Sequence, residues 1–163
     1  MKQLILFTML LTILTGCGKS EEDKKKEAEA LAVAKGQAQL AAMQIEHAQR
    51  EAVMEGLKYM AGMKSFMIDY YIDQGECLSS SKDSKHYDLA NKLSKSVLDE
   101  AKLLKTFSFR NDCSVEVTFF ESASTPDLNG ETLTLKMTPM ENGTAWQCSF
   151  SGPNKKDVPK TCQ

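Results

Sequence analysis

Hydrophobic and polar positions follow three different patterns along the chain. Apolar residues and threonines form an uninterrupted run from Leu4 to Leu14. From Ser20 to Gln74 there is no proline, and Ala, Glu, Lys, Gln and Met dominate, all of which favour helix. Asp23 follows Ser20 at the spacing of a capping box, which marks a helix start. This second segment is predicted to be one long helix, Ser20 to Gln74.

The predicted helix changes character halfway. Its first half is polar, with a narrow seam of small residues at alternating spacings of three and four: Leu31, Ala34, Ala38, Ala41, Ile45, Ala48 and Ala52. Such a seam could pack against a partner helix, but we favour a solvated helix in which alanine serves helix propensity. The second half carries a bulkier stripe of Val53, Leu57, Met60, Ala61, Met67, Ile68 and Tyr71. This stripe is expected to lie on a sheet as core.

Beyond Gly75 the period of the pattern changes. A polar loop, residues 77–86, precedes a second helical stripe of Leu89, Leu93, Val97, Ala101 and Leu104. Strand-like alternation follows in three runs, at Val115, Val117 and Phe119, at Leu133 and Leu135, and at Trp146, Cys148 and Phe150. Asn142-Gly143 between the last two runs predicts a hairpin. The expected fold class is α+β, with the long helix packed on an antiparallel sheet and a short helix in the connecting region.

Composition excludes several classes of function. The 163 residues include 20 Lys and Arg and 22 Asp and Glu, so the net charge is −2, which argues against a nucleic-acid coat or a polybasic membrane clamp. At 42% hydrophobic residues the chain can bury a core. The two histidines are His47 and His86, and the sequence contains no Gly-rich phosphate loop, G-x-S-x-G elbow or H-E-x-x-H motif. We therefore expect no enzyme, no cofactor and no metal site.

The N-terminal apolar run is too short to cross a membrane, since a spanning helix needs about 20 residues. It is typical of a signal-peptide core preceded by the positive Lys2. Leu14-Thr15-Gly16-Cys17 resembles the bacterial lipobox, in which the cysteine is acylated and becomes the first mature residue. The alternative is a buried cysteine behind an ordinary signal peptide.

The resemblance to the lipobox implies a signal peptide over residues 1–16, palmitate-type lipid on Cys17 and attachment to a membrane through these acyl chains. The same resemblance implies the outer membrane more than the inner one, because Gly18 and not Asp follows the cysteine.

The remaining cysteines of an exported chain are expected to form disulfides. They are Cys77, Cys113, Cys148 and Cys162, and four cysteines allow three pairings. Cys148 and Cys162 flank a loop with Gly152, Pro153 and Pro159, too short and irregular for strands, so we predict that they pair with each other. Cys77 and Cys113 are then left to pair. No two of these cysteines are close enough in sequence for a CxxC metal or redox site.

Several segments resemble the type IV pilins. Glu55-Gly56-Leu57, Met63-Lys64 and Asp69-Tyr70-Tyr71 through Gly75 are similar to the end of the pilin N-terminal helix. The pilin C-terminal half is matched by Gly130–Leu135, Asn142-Gly143, Trp146-Gln147-Cys148 and Val158–Cys162. The likeness covers residues 52–77 and 129–162 and implies a ladle fold, a helix on a four-stranded antiparallel sheet. It also implies that Cys148–Cys162 is the disulfide that bounds the C-terminal loop.

The chain departs from the pilin pattern at its beginning. A pilin is cut after a glycine, has Glu at the fifth mature position and continues with about twenty apolar residues. Gly16 and Glu21 have that spacing, but Glu22–Glu27 is fully charged and could enter a bilayer or a filament interior only at a large desolvation cost. The sequence therefore predicts a polar helical stalk over residues 17–51 and a pilin-like head over residues 52–163.

These resemblances imply a non-enzymatic lipoprotein of the type IV pilus and cell-adhesion system, accessory or adhesive rather than a major filament subunit. It would be anchored in the cell envelope, with its head in the periplasm or at the cell surface and with pilins or pilus-assembly proteins as partners. The alternative is a lipid-anchored ligand-binding protein that contacts DNA through Lys155, Lys156 and Lys160. Arg110, Lys82 and Lys85 would extend that basic surface. Three lysines in a loop are more often a solvated surface.

Overall fold

The computed structural model describes residues 20–152, 155 and 158–163. The predicted lipobox with Cys17, and Lys156 in the C-terminal loop, lie outside these residues. The chain divides into two units, one ending at Gln39 and one beginning at Leu40. Of the first unit, the structure describes Ser20 and the initial part of the first helix, whose residues are all exposed except the half-buried Gly36.

The helical segment begins where the capping signal predicts and is interrupted once. Helix α1 spans Glu21–Gly62, and Ser20 Oγ accepts a hydrogen bond from the Asp23 N–H at 3.3 Å. Helix α2 spans Lys64–Gln74. Between them the Met63 N–H bonds to the Met60 carbonyl at 3.1 Å, a tighter i to i−3 contact. The predicted long helix to Gln74 is therefore confirmed, with one tightened turn at Met63, directly after Gly62, since glycine is a poor helix former.

The short helix α3 spans Tyr87–Glu100, so the prediction of a helix in the connecting region is confirmed. Its buried residues are Ala90, Ser94 and Val97, whereas Leu89 is exposed. Leu104 was predicted to extend this helix, and that prediction is wrong: the chain becomes extended at Ala101, and Leu104 begins a strand.

Four antiparallel strands form one sheet in the order β1-β2-β3-β4. Their bounds are Leu104–Arg110 for β1, Ser114–Phe119 for β2, Thr132–Met140 for β3 and Gly143–Phe150 for β4. The three predicted runs become β2, β3 and β4, whereas the hydrophobic pattern did not indicate β1. The predicted hairpin joins β3 to β4, with Met140 opposite Gly143. Gly143 has a φ of 142°, which favours glycine.

The core lies between one face of the sheet and the helical segment from Leu40 onward. Gly56 allows the helix to approach the sheet closely, because a Cβ built there would lie 3.2 Å from Val117 Cγ2 and 3.5 Å from Leu133 Cδ2. The predicted stripe is largely confirmed: Val53, Met60 and Met67 are buried, and Leu57, Ile68 and Tyr71 are partly buried. Ala61 is exposed, so its prediction as a core residue is wrong.

The residues of the predicted small-residue seam differ in how deeply they are buried. Leu31, Ala34, Ala38 and Ala41 are exposed, Ile45 and Ala48 are half-buried, and Ala52 is buried in the core. The C-terminal end of the seam therefore packs within the α+β domain itself. Nearby, Glu55 ties α1 to the α3–β1 connection, because its carboxylate accepts the N–H groups of Lys102 at 3.1 Å and Leu103 at 2.8 Å.

Candidate functional site

The C-terminal loop is held to the sheet by the Cys148–Cys162 disulfide, whose Cα atoms are 4.4 Å apart. Cys162 belongs to a short 3-10 turn that begins at Lys160. The Gln163 side chain closes the loop further, since its Nε2 donates to the Lys155 carbonyl at 2.8 Å and to the Val158 carbonyl at 2.9 Å. Lys155 and Lys160 are both exposed. The described part of the loop thus presents two lysines at the surface, close to the residues that the disulfide and Gln163 hold.

The second disulfide, Cys77–Cys113, joins the loop after α2 to the turn between β1 and β2, with 4.9 Å between the Cα atoms. Ser80 in this loop exchanges two hydrogen bonds with Phe109 of β1: its N–H donates to the Phe109 carbonyl at 2.8 Å, and its Oγ accepts the Phe109 N–H at 3.1 Å. The loop therefore lies along the outer edge of β1 and covers part of it.

Two polar clefts border this loop. One has a volume of about 300 Å³ and is lined by Ser79, Ser80, Ser81, Ser108, Phe109, Arg110 and Asn111. The other, of about 350 Å³, is lined by Glu76, Cys77, Ser79, Ser81, Asp83, Ser84, Lys85 and Asn111. Three of these residues line both clefts, so Arg110 and Lys85 lie on one side of the domain. Acidic groups accompany them, and Arg110 Nη1 is 3.9 Å from Glu116 Oε1. Lys82 is exposed in the same loop.

Asp112 is the carboxylate most clearly affected by its surroundings. It accepts hydrogen bonds from Lys136 Nζ at 2.9 Å and from Ser114 Oγ at 2.6 Å. These two bonds hold the pKa of Asp112 below its ordinary value. The residue thereby links the β1–β2 turn to β3.

Tyr70, Glu76 and His86 lie close together where the polar loop joins α2 to α3. The Tyr70 and His86 rings meet edge to face at 5.4 Å, and His86 Nε2 is 3.6 Å from Glu76 Oε1. Burial, followed by the charge of Glu76, raises the pKa of Tyr70. Neither the Tyr70 hydroxyl nor His86 Nε2 has a hydrogen-bond partner among the described residues. These contacts pack the end of α2 against the start of α3.

An apolar groove of about 450 Å³ lies between α2 and the β3–β4 turn. Its lining residues are Ile68, Tyr71, Ile72, Pro139, Met140, Glu141, Gly143 and Thr144. Ile72 and Met140 are exposed for 73% and 59% of their surface, so the groove has an open apolar rim. Sequence reasoning did not indicate it; the available signal was that Ile72 and Met140 are apolar residues outside the predicted core patterns.

The described part of the chain contains no group of three His, Cys, Asp or Glu side chains arranged to hold a metal ion. His47 and Glu51 form an exposed pair on α1, with 3.5 Å between Nδ1 and Oε2. Among residues 20–152, 155 and 158–163, no helix has the length and apolar character needed to cross a membrane.

Comparison with known proteins identifies the family of this chain. The sequence profile of the pilins, which form bacterial filaments, matches residues 50–163. The chain belongs to the pilin family. The pilin match covers the two disulfides and the four strands of the described residues, and it begins close to the buried Ala52 on α1. No curated protein matches the chain. Family membership makes this a pilin-like protein of a structural, filament-forming class, and it implies a location in the cell envelope or outside the cell.

Proposed function

We propose that the chain is a lipid-anchored accessory or adhesive protein of the type IV pilus system and that it does not form the body of the filament. Acyl chains on Cys17 would hold it in the cell envelope, with the outer membrane favoured by Gly18. Residues 17–51 would form a polar stalk and residues 52–163 the head. Other pilins or pilus-assembly proteins are the expected partners.

The observation that carries this proposal is the charge at the start of α1. The sequence at residues 21–27 is EEDKKKE, and these residues are exposed. Lys24 pairs with Glu21 at 3.2 Å and Lys26 with Glu22 at 2.9 Å, both on the surface of the helix. A pilin that enters a filament is expected to have an apolar helix here. Burying this charged segment would carry a large desolvation cost, which supports a role beside the filament.

The head supports a binding role rather than a catalytic one. Its two disulfides fix the loop before α3 and the C-terminal loop against the sheet, and pre-organised loops lose less entropy when a partner binds. The polar clefts beside Cys77 and the exposed lysines beside Cys162 are therefore surfaces that the disulfides help to position. They suit recognition of another pilin or of a pilus-assembly protein.

Shearing the filaments from cells tests whether the chain enters them. Sheared pili and washed membranes from the same cells would be blotted for this chain and for the major subunit. We expect the chain in the membrane fraction and absent from the pili. A stoichiometric share in the filament would refute the accessory role. A strain that lacks this chain would then separate the two accessory roles. Fewer pili would indicate a role in assembly, and weaker cell attachment with a normal pilus number would indicate a role in adhesion.

DNA binding is the second candidate, favoured by one observation. Lys155 and Lys160 are exposed in a loop that a disulfide holds in place, and neither forms an ion pair with a described residue. A gel shift at low salt, where phosphate contacts are strongest, tests this with the full chain. The Lys155→Ala/Lys160→Ala variant should lose retardation if the loop binds DNA, and Lys105→Ala serves as the control. DNA that migrates equally with and without the wild-type chain at low salt would remove this candidate.

A further inference from the structure

The two edges of the sheet are protected differently. The outer edge of β1 is covered at Phe109 by its hydrogen bonds with Ser80. Strand β4 is the other edge and pairs only with β3 among the described residues. No described backbone or side-chain group outside β3 forms a hydrogen bond with the backbone of residues 143–147. This edge presents backbone N–H and C=O groups that a further strand could use.

Strand β4 also lacks the usual features that discourage strand addition. Its sequence, GTAWQCSF, contains no charged residue and no proline. Its register with β3 runs through eight consecutive pairs without a bulge. By contrast, β1 contains Lys105 and Arg110, and its register with β2 shifts between Leu104 and Thr106. Natural edge strands are normally blocked by charges, prolines or bulges, so β4 has the properties of a strand that pairs with another.

The available part of this edge is limited to one end of β4. Cys148 is bonded to Cys162, which places the C-terminal 3-10 turn beside the second half of the strand. We define the open edge as residues 143–147. Along it Ala145 and Gln147 are exposed on the face of the sheet away from the helices. Five residues of strand extend over about 17 Å, enough for a short ladder.

We propose that two copies of this chain pair antiparallel through their open edges, with the two-fold axis near Ala145, to form a continuous eight-stranded sheet. Uncharged strands can pair with themselves without like-charge repulsion. In the antiparallel arrangement the β3–β4 turn of one copy faces the C-terminal turn of the other. This places the exposed Glu141 of each copy near the exposed Lys155 and Lys160 of its mate. That charge complementarity favours a second copy over an unrelated strand.

Sedimentation equilibrium of the full chain in a density-matched mild detergent tests the pairing. Because the interface is small, we expect a reversible dimer with a dissociation constant of about 10–100 µM. Ala145→Lys places two positive charges opposite each other at the axis and should weaken the dimer at least about tenfold. Thr138→Lys is the matched control: Thr138 is exposed and lies directly opposite Ala145 on the interior strand β3, and its dimer should be unchanged.

A charge exchange distinguishes a second copy from any other occupant. Glu141→Lys alone and Lys155→Glu/Lys160→Glu alone should each weaken the dimer several-fold. The variant carrying all three changes should recover it, because the complementary charges are restored across the axis. Circular dichroism would confirm that each variant is folded. A wild-type chain that remains monomeric up to about 1 mM, an Ala145→Lys variant that dimerises normally, or a failure of the triple variant to recover would each overturn the proposal.

Discussion

At the residue scale, Cys113 combines three constraints. It is buried, it is bonded to Cys77, and its φ of 61° lies in the left-handed region that non-glycine residues rarely adopt. Its carbonyl also accepts the Met137 N–H at 2.9 Å, so the unusual backbone is tied to β3. The residue therefore fixes both the loop after α2 and the turn between β1 and β2.

Removing the Cys77–Cys113 bridge should lower the free energy of unfolding by about 4 kcal/mol, because the bridge closes a long loop. The backbone conformation at Cys113 separates two versions of this change. Cys77→Ser/Cys113→Gly should be more stable than Cys77→Ser/Cys113→Ala by about 1 kcal/mol, since glycine adopts a positive φ without steric conflict. Urea unfolding of the two variants measures the difference. Equal stability, or a more stable alanine variant, would show that the left-handed conformation is not retained.

The carboxylate of Asp112 makes the stability of the folded protein depend on pH. Its pKa is lowered in the folded state, so it contributes stability above its unfolded pKa of about 3.9, and this contribution is lost as the pH falls through the folded value. The carboxylate is half exposed, so solvent screening keeps the effect below about 1 kcal/mol.

Asp112→Asn should therefore lower stability at pH 7 and should flatten the loss of stability between about pH 5 and pH 2. Urea midpoints measured across this range provide the test. Asp73→Asn, at an exposed position near the end of α2, is the charge control and should keep the wild-type slope. An Asp112→Asn variant with the wild-type slope would mean that its bonds to Lys136 and Ser114 do not stabilise the fold.

At the element scale, Gly56 is a position where α1 lies close to the sheet. Gly56→Val would force Val117 and Leu133 to move, because even a Cβ there would be 3.2 Å from Val117 Cγ2. Overpacking of this kind lowers the free energy of unfolding by about 1–3 kcal/mol. Gly62→Val is the control, since nothing lies within 4 Å of a Cβ at Gly62, and it should change stability by about 0.5 kcal/mol or less. Equal effects of the two substitutions would contradict the close packing of α1 on the sheet.

The hydrophobic pattern predicts those elements that bury one face against a single partner. Such burial gives a regular period in the sequence, as in the stripe at Val53, Met60 and Met67 and in the alternation of β2, β3 and β4. Strand β1 was missed because Leu104 continues the helical spacing from Val97. The interruption at Met63 was missed because one tightened turn leaves the composition of the segment unchanged.

The candidate site was less predictable than the fold. The resemblance to pilins indicated the C-terminal loop and its disulfide, and the composition of the loop suggested exposed lysines. The groove beside Ile72 and Met140 and the open edge of β4 depend on which elements are neighbours in space. The hydrophobic pattern alone does not show which elements are neighbours, because an edge strand and an interior strand can have the same alternation.

At the scale of the whole molecule, one chain combines a pilin domain with a charged helix start. Residues 50–163 match the pilins, and the exposed EEDKKKE segment of α1 occupies the region where a filament subunit is expected to be apolar. In our proposal the hydrophobic anchor is supplied by lipid on Cys17. The function then depends on the head being presented at a membrane surface.

Metabolic labelling with radioactive palmitate tests this central claim most directly. The wild-type chain and the Cys17→Ala variant would be expressed at equal levels, immunoprecipitated and analysed on a denaturing gel. The account predicts label on the wild-type chain, a loss of label of at least about tenfold in Cys17→Ala, and release of that variant from washed membranes, because acyl chains supply the membrane affinity. An unlabelled wild-type chain, or a Cys17→Ala variant that remains labelled and membrane-bound, would contradict it.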